Sequence, residues 1–200
     1  GTIMKRLLTM SKGGSQLTIE HRLINNTGSA LAKRGIRQVN KTKPYHDGAS
    51  NDYQNFKIYF PKGTSASDGS AGYTDLGGKW QMAVSGFVSQ VGGTDILQAQ
   101  PTGNTQSAKL GANTPEGWIA FTDVSEGYTY IMAADHVAGE DVYPDQNSSI
   151  IVYFEKRSRF VEVEMQSELA DIADQDSITW TTLNYRTKTA GPILDVNKAG

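Results

Sequence analysis

The chain contains no cysteine. Disulfides, structural zinc held by thiolates and thiol nucleophiles are therefore excluded. Charge of one sign is also scarce: 19 Lys and Arg against 21 Asp and Glu leave a formal net charge of −2. With no Lys/Arg run long enough to track a phosphate backbone, nucleic acid is not expected as a partner. No stretch approaches the roughly 20 consecutive apolar residues that a membrane-spanning helix needs, so no membrane span is expected. Apolar residues at helical spacing are missing over any long segment. The Gly-x-Ser-x-Gly elbow, the phosphate loop and the dinucleotide fingerprint are absent as well, so no cofactor is expected. His21, His46 and His136 lack close ligand spacing such as His-x-x-x-His, and no metal is expected. Any enzymatic chemistry must rest on carboxylates and histidine.

What is present reads as β-structure. A chain of 200 residues, 38% apolar and 20% charged, suits one globular core, and a single β-sandwich domain spanning 1–200 is expected. The clearest stretch runs from Ser149 to Arg186 and gives three strand signals: Ser149–Glu155, Arg159–Gln166 and Asp176–Arg186. In the middle one Val161, Val163 and Met165 share one face, and Glu162, Glu164 and Gln166 the other. Such an acidic face is either solvated surface or the floor of a polar site. In the last strand Ile178 and Trp180 share a phase that Leu183 and Tyr185 abandon, which predicts a β-bulge at Thr181-Thr182.

The earlier chain follows the same pattern. Met4–Met10 and Gln16–Ile24 form a hairpin around Ser11-Lys12-Gly13-Gly14. His21 lies in phase with the apolar side of that hairpin, as a buried, hydrogen-bonded histidine would. Ala30–Val39 reads as one further strand with Lys33, Arg34 and Arg37 around a glycine, cations that either hold an anionic ligand or line a solvent face. Residues 40–52 read as loop, Phe56–Phe60 as a short strand, Lys62–Gly78 as a polar excursion, Trp80–Val91 as strand or short helix, and Asp95–Ala99 as a brief strand. Thr102–Thr114 reads as loop, and Glu168–Asp174 as a connection able to form a helix. Gly117–Asp123 and Gly127–Ala133 form an aromatic hairpin whose Trp118 is either core or a platform for a sugar ring. The acids of Asp135–Ser149 do not follow the calcium-loop pattern and are explained by turn chemistry.

Several of these segments carry a family resemblance. Thr18–Asn26 with its following Thr-Gly-Ser, Gly117–Asp123, Tyr143-Pro144-Asp145 through Tyr153, Phe160–Gln166 and Ile178–Arg186 together resemble the galactose mutarotase-like family. Within it they are most similar to a secreted branch found near bacterial polysaccharide-degrading enzymes. The resemblance implies an antiparallel β-supersandwich with a sugar-binding concave face. It also implies that this chain corresponds to the C-terminal two thirds of the fold, with missing strands leaving an open sheet edge. In mutarotases a late-strand glutamate takes the anomeric proton, and Val161-Glu162-Val163-Glu164-Met165-Gln166 places Glu164 there. The matching acid is a histidine in an Asn-His-Ser-Tyr-like motif, where this chain has Arg34-Gly35-Ile36-Arg37; His136 would have to approach from another loop. The expectation is a carbohydrate-binding domain, secreted or periplasmic, with Arg34, Arg37, Trp118 and Glu162 contacting substrate. Two alternatives stay open: an epimerase or lyase-like enzyme using Glu164 and His136, and a structural accessory domain of a larger secreted protein.

Overall fold

A computed structural model describes residues 1–42, 55–77, 82–101, 106–156, 160–189 and 191–196. It is an antiparallel β-supersandwich, as the alternating patterns require. The larger sheet holds β1 (Thr2–Met10), β2 (Gln16–Asn25), β5 (Phe56–Pro61), β7 (Val88–Gln90), β8 (Ile96–Ala99), β10 (Trp118–Asp123), β11 (Tyr128–Ala134) and β15 (Ser177–Thr187), in the order β1-β2-β15-β11-β10-β5-β8-β7. The smaller holds β4 (Arg37–Thr42), β6 (Thr74–Asp75), β9 (Ala108–Ala112), β12 (Ile150–Phe154) and β13 (Val161–Gln166), in the order β4-β13-β12-β9-β6. A separate ribbon pairs β3 (Leu31–Arg34) with β14 (Ala170–Ile172).

Side-chain alternation decides which residues meet. Ile58, Phe60, Ile119, Phe121, Val152, Phe154, Val161 and Val163 fill the space between the two sheets. The opposite face of the larger sheet carries a second cluster, in which Tyr59, Trp118, Ile131 and Ala133 pack under Ile193. The β1–β2 hairpin closes as expected, with Gly13 at φ 78°, a conformation that needs no Cβ. β1 is the edge of the larger sheet and is exposed along its whole length, Ile3, Met4, Leu7, Leu8 and Met10 included.

Four expectations change. Ala30–Val39 is two strands in two sheets: at Gly35 the chain leaves the ribbon, and Ile36 enters the core with its N–H donated to Ser167 Oγ at 2.8 Å. The loop expected over Thr102–Thr114 contains β9, whose Ala- and Gly-rich sequence has little strand propensity but is placed between β12 and β6 by pairing. The Glu168–Asp174 connection contains strand β14, not helix. The bulge at Thr181-Thr182 does not exist; β15 pairs in unbroken register with β2 from Ser177 to Tyr185. Of Trp80–Val91, the described part holds a short 3-10 turn at Val84–Gly86 followed by β7. His46 and Trp80 lie outside the described residues.

The bulge expectation failed because the apolar phase of β15 is interrupted by polarity, not by geometry. Trp180, Thr182 and Asn184 all face inward, and Leu183 and Tyr185 pack on the outer cluster. Thr182 and Asn184 belong to a buried polar seam that crosses the sandwich. Gln38 of β4 accepts at Oε1 from His21 Nε2 (3.0 Å) and Thr182 Oγ1 (2.5 Å) and donates to Asn184 Oδ1 (2.7 Å). Tyr130 donates to the same Asn184 oxygen at 2.5 Å and accepts from Asn40. Because Gln38 Oε1 only accepts, His21 carries its proton on Nε2, and its buried Nδ1 has no partner.

Two outcomes follow for stability. Asn184→Leu strands the Gln38 amide and the Tyr130 hydroxyl and should cost about 1–3 kcal/mol in denaturant unfolding. Burial holds the His21 pKa below its ordinary 6.5, so the unfolded chain binds the extra proton first. Stability is full above 6.5 and falls as pH drops from there toward the folded value. Thermal midpoints measured across that window should slope downward on acidification in wild type and lose this component in His21→Gln.

Candidate functional site

β13 builds the site because its period of two sends three apolar side chains into the core and three polar ones to the outer face of the smaller sheet. Val161, Val163 and Met165 are at most 2% exposed in the core. Glu164, on the other face, is nonetheless only 4% exposed. Its neighbours in register are Val39 on β4 and Ile151 on β12; Glu162 lies between Lys41 and Tyr153.

What covers Glu164 is the turn at Pro144–Asn147. Asp145, Gln146 and Asn147 take φ values of 50°, 58° and 61°, three consecutive left-handed residues with side chains, an arrangement that persists only when its surroundings over-determine it. Here Asn147 accepts from the Val142 and Tyr143 N–H groups and donates to the Gly139 carbonyl, and Gln166 donates to the Ser148 carbonyl at 2.9 Å. The turn lies flat on the sheet over Gly111, where a Cβ would come within 2.2 Å of Ser148 Oγ.

Arg37 ties turn and strand together. Its guanidinium pairs with Asp145 and donates to Gln166 Oε1 through Nε (2.9 Å) and Nη2 (2.5 Å). Nη1 stands 3.2 Å from Glu164 Oε2. That approach is an ion pair without hydrogen-bonding geometry, so Oε2 is buried with no donor. Burial raises the Glu164 pKa; the cations of Arg37 and Lys109 pull it back, and Glu162 and Asp145 push it further up. A buried carboxyl with an upward-shifted pKa and an unsatisfied oxygen is chemically suited to accept or share a proton.

Along the same face the surface opens. Tyr153 and Phe160 are half-buried with ring centroids 6.0 Å apart, and Lys41 Nζ lies 3.5 Å from the Phe160 ring centre. With Glu162 beside them they form an aromatic platform edged by charge. Sequence reading missed Tyr153 and Lys41 as site residues. Ser149–Glu155 reads as an almost unbroken apolar run, which hides that Tyr153 faces out while Phe154 faces the core.

The other expected residues lie elsewhere. Trp118 is 1% exposed inside the outer cluster of the larger sheet, so it offers no ring face to a ligand. Arg34 sits on the β3–β14 ribbon and turns back to the Ala32 carbonyl. His136 donates through Nε2 to Asn113 Oδ1 (2.5 Å), stacks on Tyr143 and lines a separate cleft of about 210 Å³ with Ser65 and Glu140. It is not among the groups that set the ionisation of Glu164. The structure thus joins Glu164, Arg37 and Glu162 on one face and leaves Arg34, Trp118 and His136 off it. Among the described residues no group of His, Asp and Glu side chains converges to hold a metal ion, and no helix is long and apolar enough to cross a membrane.

No protein-family model and no curated protein sequence matches the chain. Solved structures do match by shape. An inferred aldose 1-epimerase from Klebsiella pneumoniae superposes with a TM-score of 0.60 at 5% identity, over 94% of this chain and 47% of that one. Another, from Escherichia coli K12, gives 0.58 at 11% identity over 94% and 60%. A TPR-domain containing protein from Parabacteroides distasonis gives 0.54 at 12% identity over 99% and 32%. At these identities the likeness is one of fold, and the fold is galactose mutarotase-like. The chain spans less than two thirds of the length of each of these three structures.

Two substitutions on neighbouring residues separate site from core. Val163→Asp buries a charge in the core and should abolish cooperative unfolding. Glu164→Gln removes a charge that burial disfavours, and Arg37 keeps Asp145 and Gln166, so the thermal midpoint near neutral pH should stay within a few degrees of wild type. Because the Glu164 pKa is raised, its contribution is full below the ordinary carboxylate value and lost as pH rises through the folded one. The midpoint of wild type relative to Glu164→Gln should therefore decline with rising pH across that interval.

Proposed function

We propose that the protein is a carbohydrate-binding domain, catalytically divergent from mutarotases, that holds a sugar on the outer face of its smaller sheet. The observation that carries this reading is the juxtaposition on one face of Glu164, whose Oε2 lacks a donor, with Glu162 and the Tyr153–Phe160 platform. Aromatic faces accept the apolar face of a pyranose, and carboxylates accept its hydroxyl hydrogens. The galactose mutarotase-like fold supports a sugar ligand of this kind. Against turnover stands the register of β4, which begins at Arg37, the last residue of the segment where the resemblance expects an acid histidine: the residue opposite Glu164 is Val39. Val39 has no proton to give. We place the domain in a secreted or periplasmic setting, in polysaccharide processing.

An epimerase or lyase-like activity with Glu164 as base keeps one supporting observation, the raised pKa of that carboxyl. The two readings separate in one experiment. A glycan array is screened with wild type, Glu164→Gln and Glu162→Gln, and anomer exchange of the bound sugar is followed by NMR. Binding that weakens about tenfold in each variant, the equivalent of about 1.4 kcal/mol, with exchange no faster than in buffer, is the expected result. Equal binding by all three proteins would leave the acidic face as ordinary surface, and exchange abolished by Glu164→Gln would establish an enzyme.

A further inference from the structure

A second concavity lies away from the Glu164 face. It is a groove of about 740 Å³ at the end of the larger sheet, where the β1–β2 turn meets the start of β11 and the end of β15. Met10 and Leu17 form an apolar wall, and Tyr128 and Tyr130 line it with rings. Arg186 and Lys188 supply two cations, and among the described residues no carboxylate is in the lining.

The groove is organised by its own register. Tyr130 is opposite Arg186 across β11 and β15, and Asn184 is opposite Leu17 across β15 and β2, so all four side chains emerge on the same face. Below them the Tyr130 hydroxyl and Asn184 are saturated by the polar seam, which fixes the floor. The Tyr130 pKa is pushed up to about 12 by burial, so the phenol stays neutral beside a negative ligand. The Arg186 guanidinium lies 4.3 Å from the Tyr128 ring centre. A guanidinium held over a ring keeps N–H groups with which it can grip a carboxylate through two parallel hydrogen bonds. The adjoining recess, which Arg186 also lines, holds two acids, Asp123 and Glu126, and Asp123 accepts from the Ser125 and Glu126 N–H groups of its own turn.

We propose that this groove is a second site, separate from the outer face of the smaller sheet, and that it binds an acidic sugar residue such as a uronate. The ring packs against Tyr128, Tyr130 and the apolar wall, and the carboxylate meets Arg186 and Lys188. The volume is in the range of small-ligand sites. Two cations in a lining whose described residues include no carboxylate favour an anion, and the rings select a cyclic body. The choice of a sugar among cyclic anions rests on the carbohydrate reading above.

Calorimetric titration of the full chain with trigalacturonate and with its methyl ester tests the charge, since the two differ only there. Trigalacturonate should bind at least tenfold more tightly than the ester and weaken as salt rises. Arg186→Gln should remove most of this preference. Arg186 is exposed and the thermal midpoint of the variant should match wild type. Equal binding of acid and ester, undiminished binding by Arg186→Gln, or no binding by wild type would each overturn the proposal. Trigalacturonate binding that falls with Glu164→Gln and not with Arg186→Gln would locate it on the outer face and overturn the second site as well. Glycan binding that depends on Glu164 alone, with no trigalacturonate binding, would remove this site and leave the outer-face reading standing. Uronate binding that depends on Arg186, with an array indifferent to Glu164, would do the reverse.

Discussion

The amide of Gln38 fastens one sheet of this sandwich to the other. Hydrophobic contact between two sheets is tolerant of sliding, because apolar surfaces attract without direction. Gln38 is directional. Its oxygen receives His21 and Thr182, and its nitrogen meets Asn184, three groups on two strands of the facing sheet. A buried amide left without these partners would cost more than the hydrogen bonds return. Only one alignment of β4 over β2 and β15 satisfies all of them. The arrangement of the outer face then follows, because β4 carries Arg37 two positions from Gln38's neighbour Val39, and β4 pairs directly with β13.

Arg37 is the point at which that alignment becomes chemistry. Its guanidinium is shared among Asp145, Gln166 and Glu164, so the turn that covers the carboxylate and the strand that bears it are held by one side chain. The consequence is a carboxylate neither freely solvated nor fully neutralised. The aromatic platform of Tyr153 and Phe160 is a few residues away on the same surface, while His136 is held in its own cleft by Asn113 and Tyr143.

Much of this was legible in the order of residues, and where it was not the reason is specific. The alternation Val161 to Gln166 identified both the core face and the acidic face, and the hairpins around Gly13 and Val124 were plain from their turns. His21 was expected to be buried and hydrogen-bonded, and it is. Legibility ended where polar residues face inward and apolar ones outward: Thr182 and Asn184 against Leu183 and Tyr185 looked like a change of phase and were a change of environment. It ended also where a strand is imposed by its neighbours, as in the Ala108–Ala112 segment, and where an aromatic has two plausible homes. Trp118 had to be core or platform, and only the second cluster beneath Ile193 settles that it is core.

The two ends of the larger sheet differ in a way that matters for how the molecule behaves in a crowd. At one end β7 has three residues, too few to template a partner. At the other, β1 is a nine-residue strand paired on one side with β2 and, among the described residues, with no strand on its other side; Leu7, Leu8 and Met10 are uncovered, tempered by Lys5 and Arg6 in its middle. Long apolar edges recruit further strands, and interior lysine and arginine discourage it. Among the described residues the sheet therefore has one long edge, at β1, and one short edge, at β7. Lys5 and Arg6 are thus the two charges that stand between this edge and the pairing its length invites.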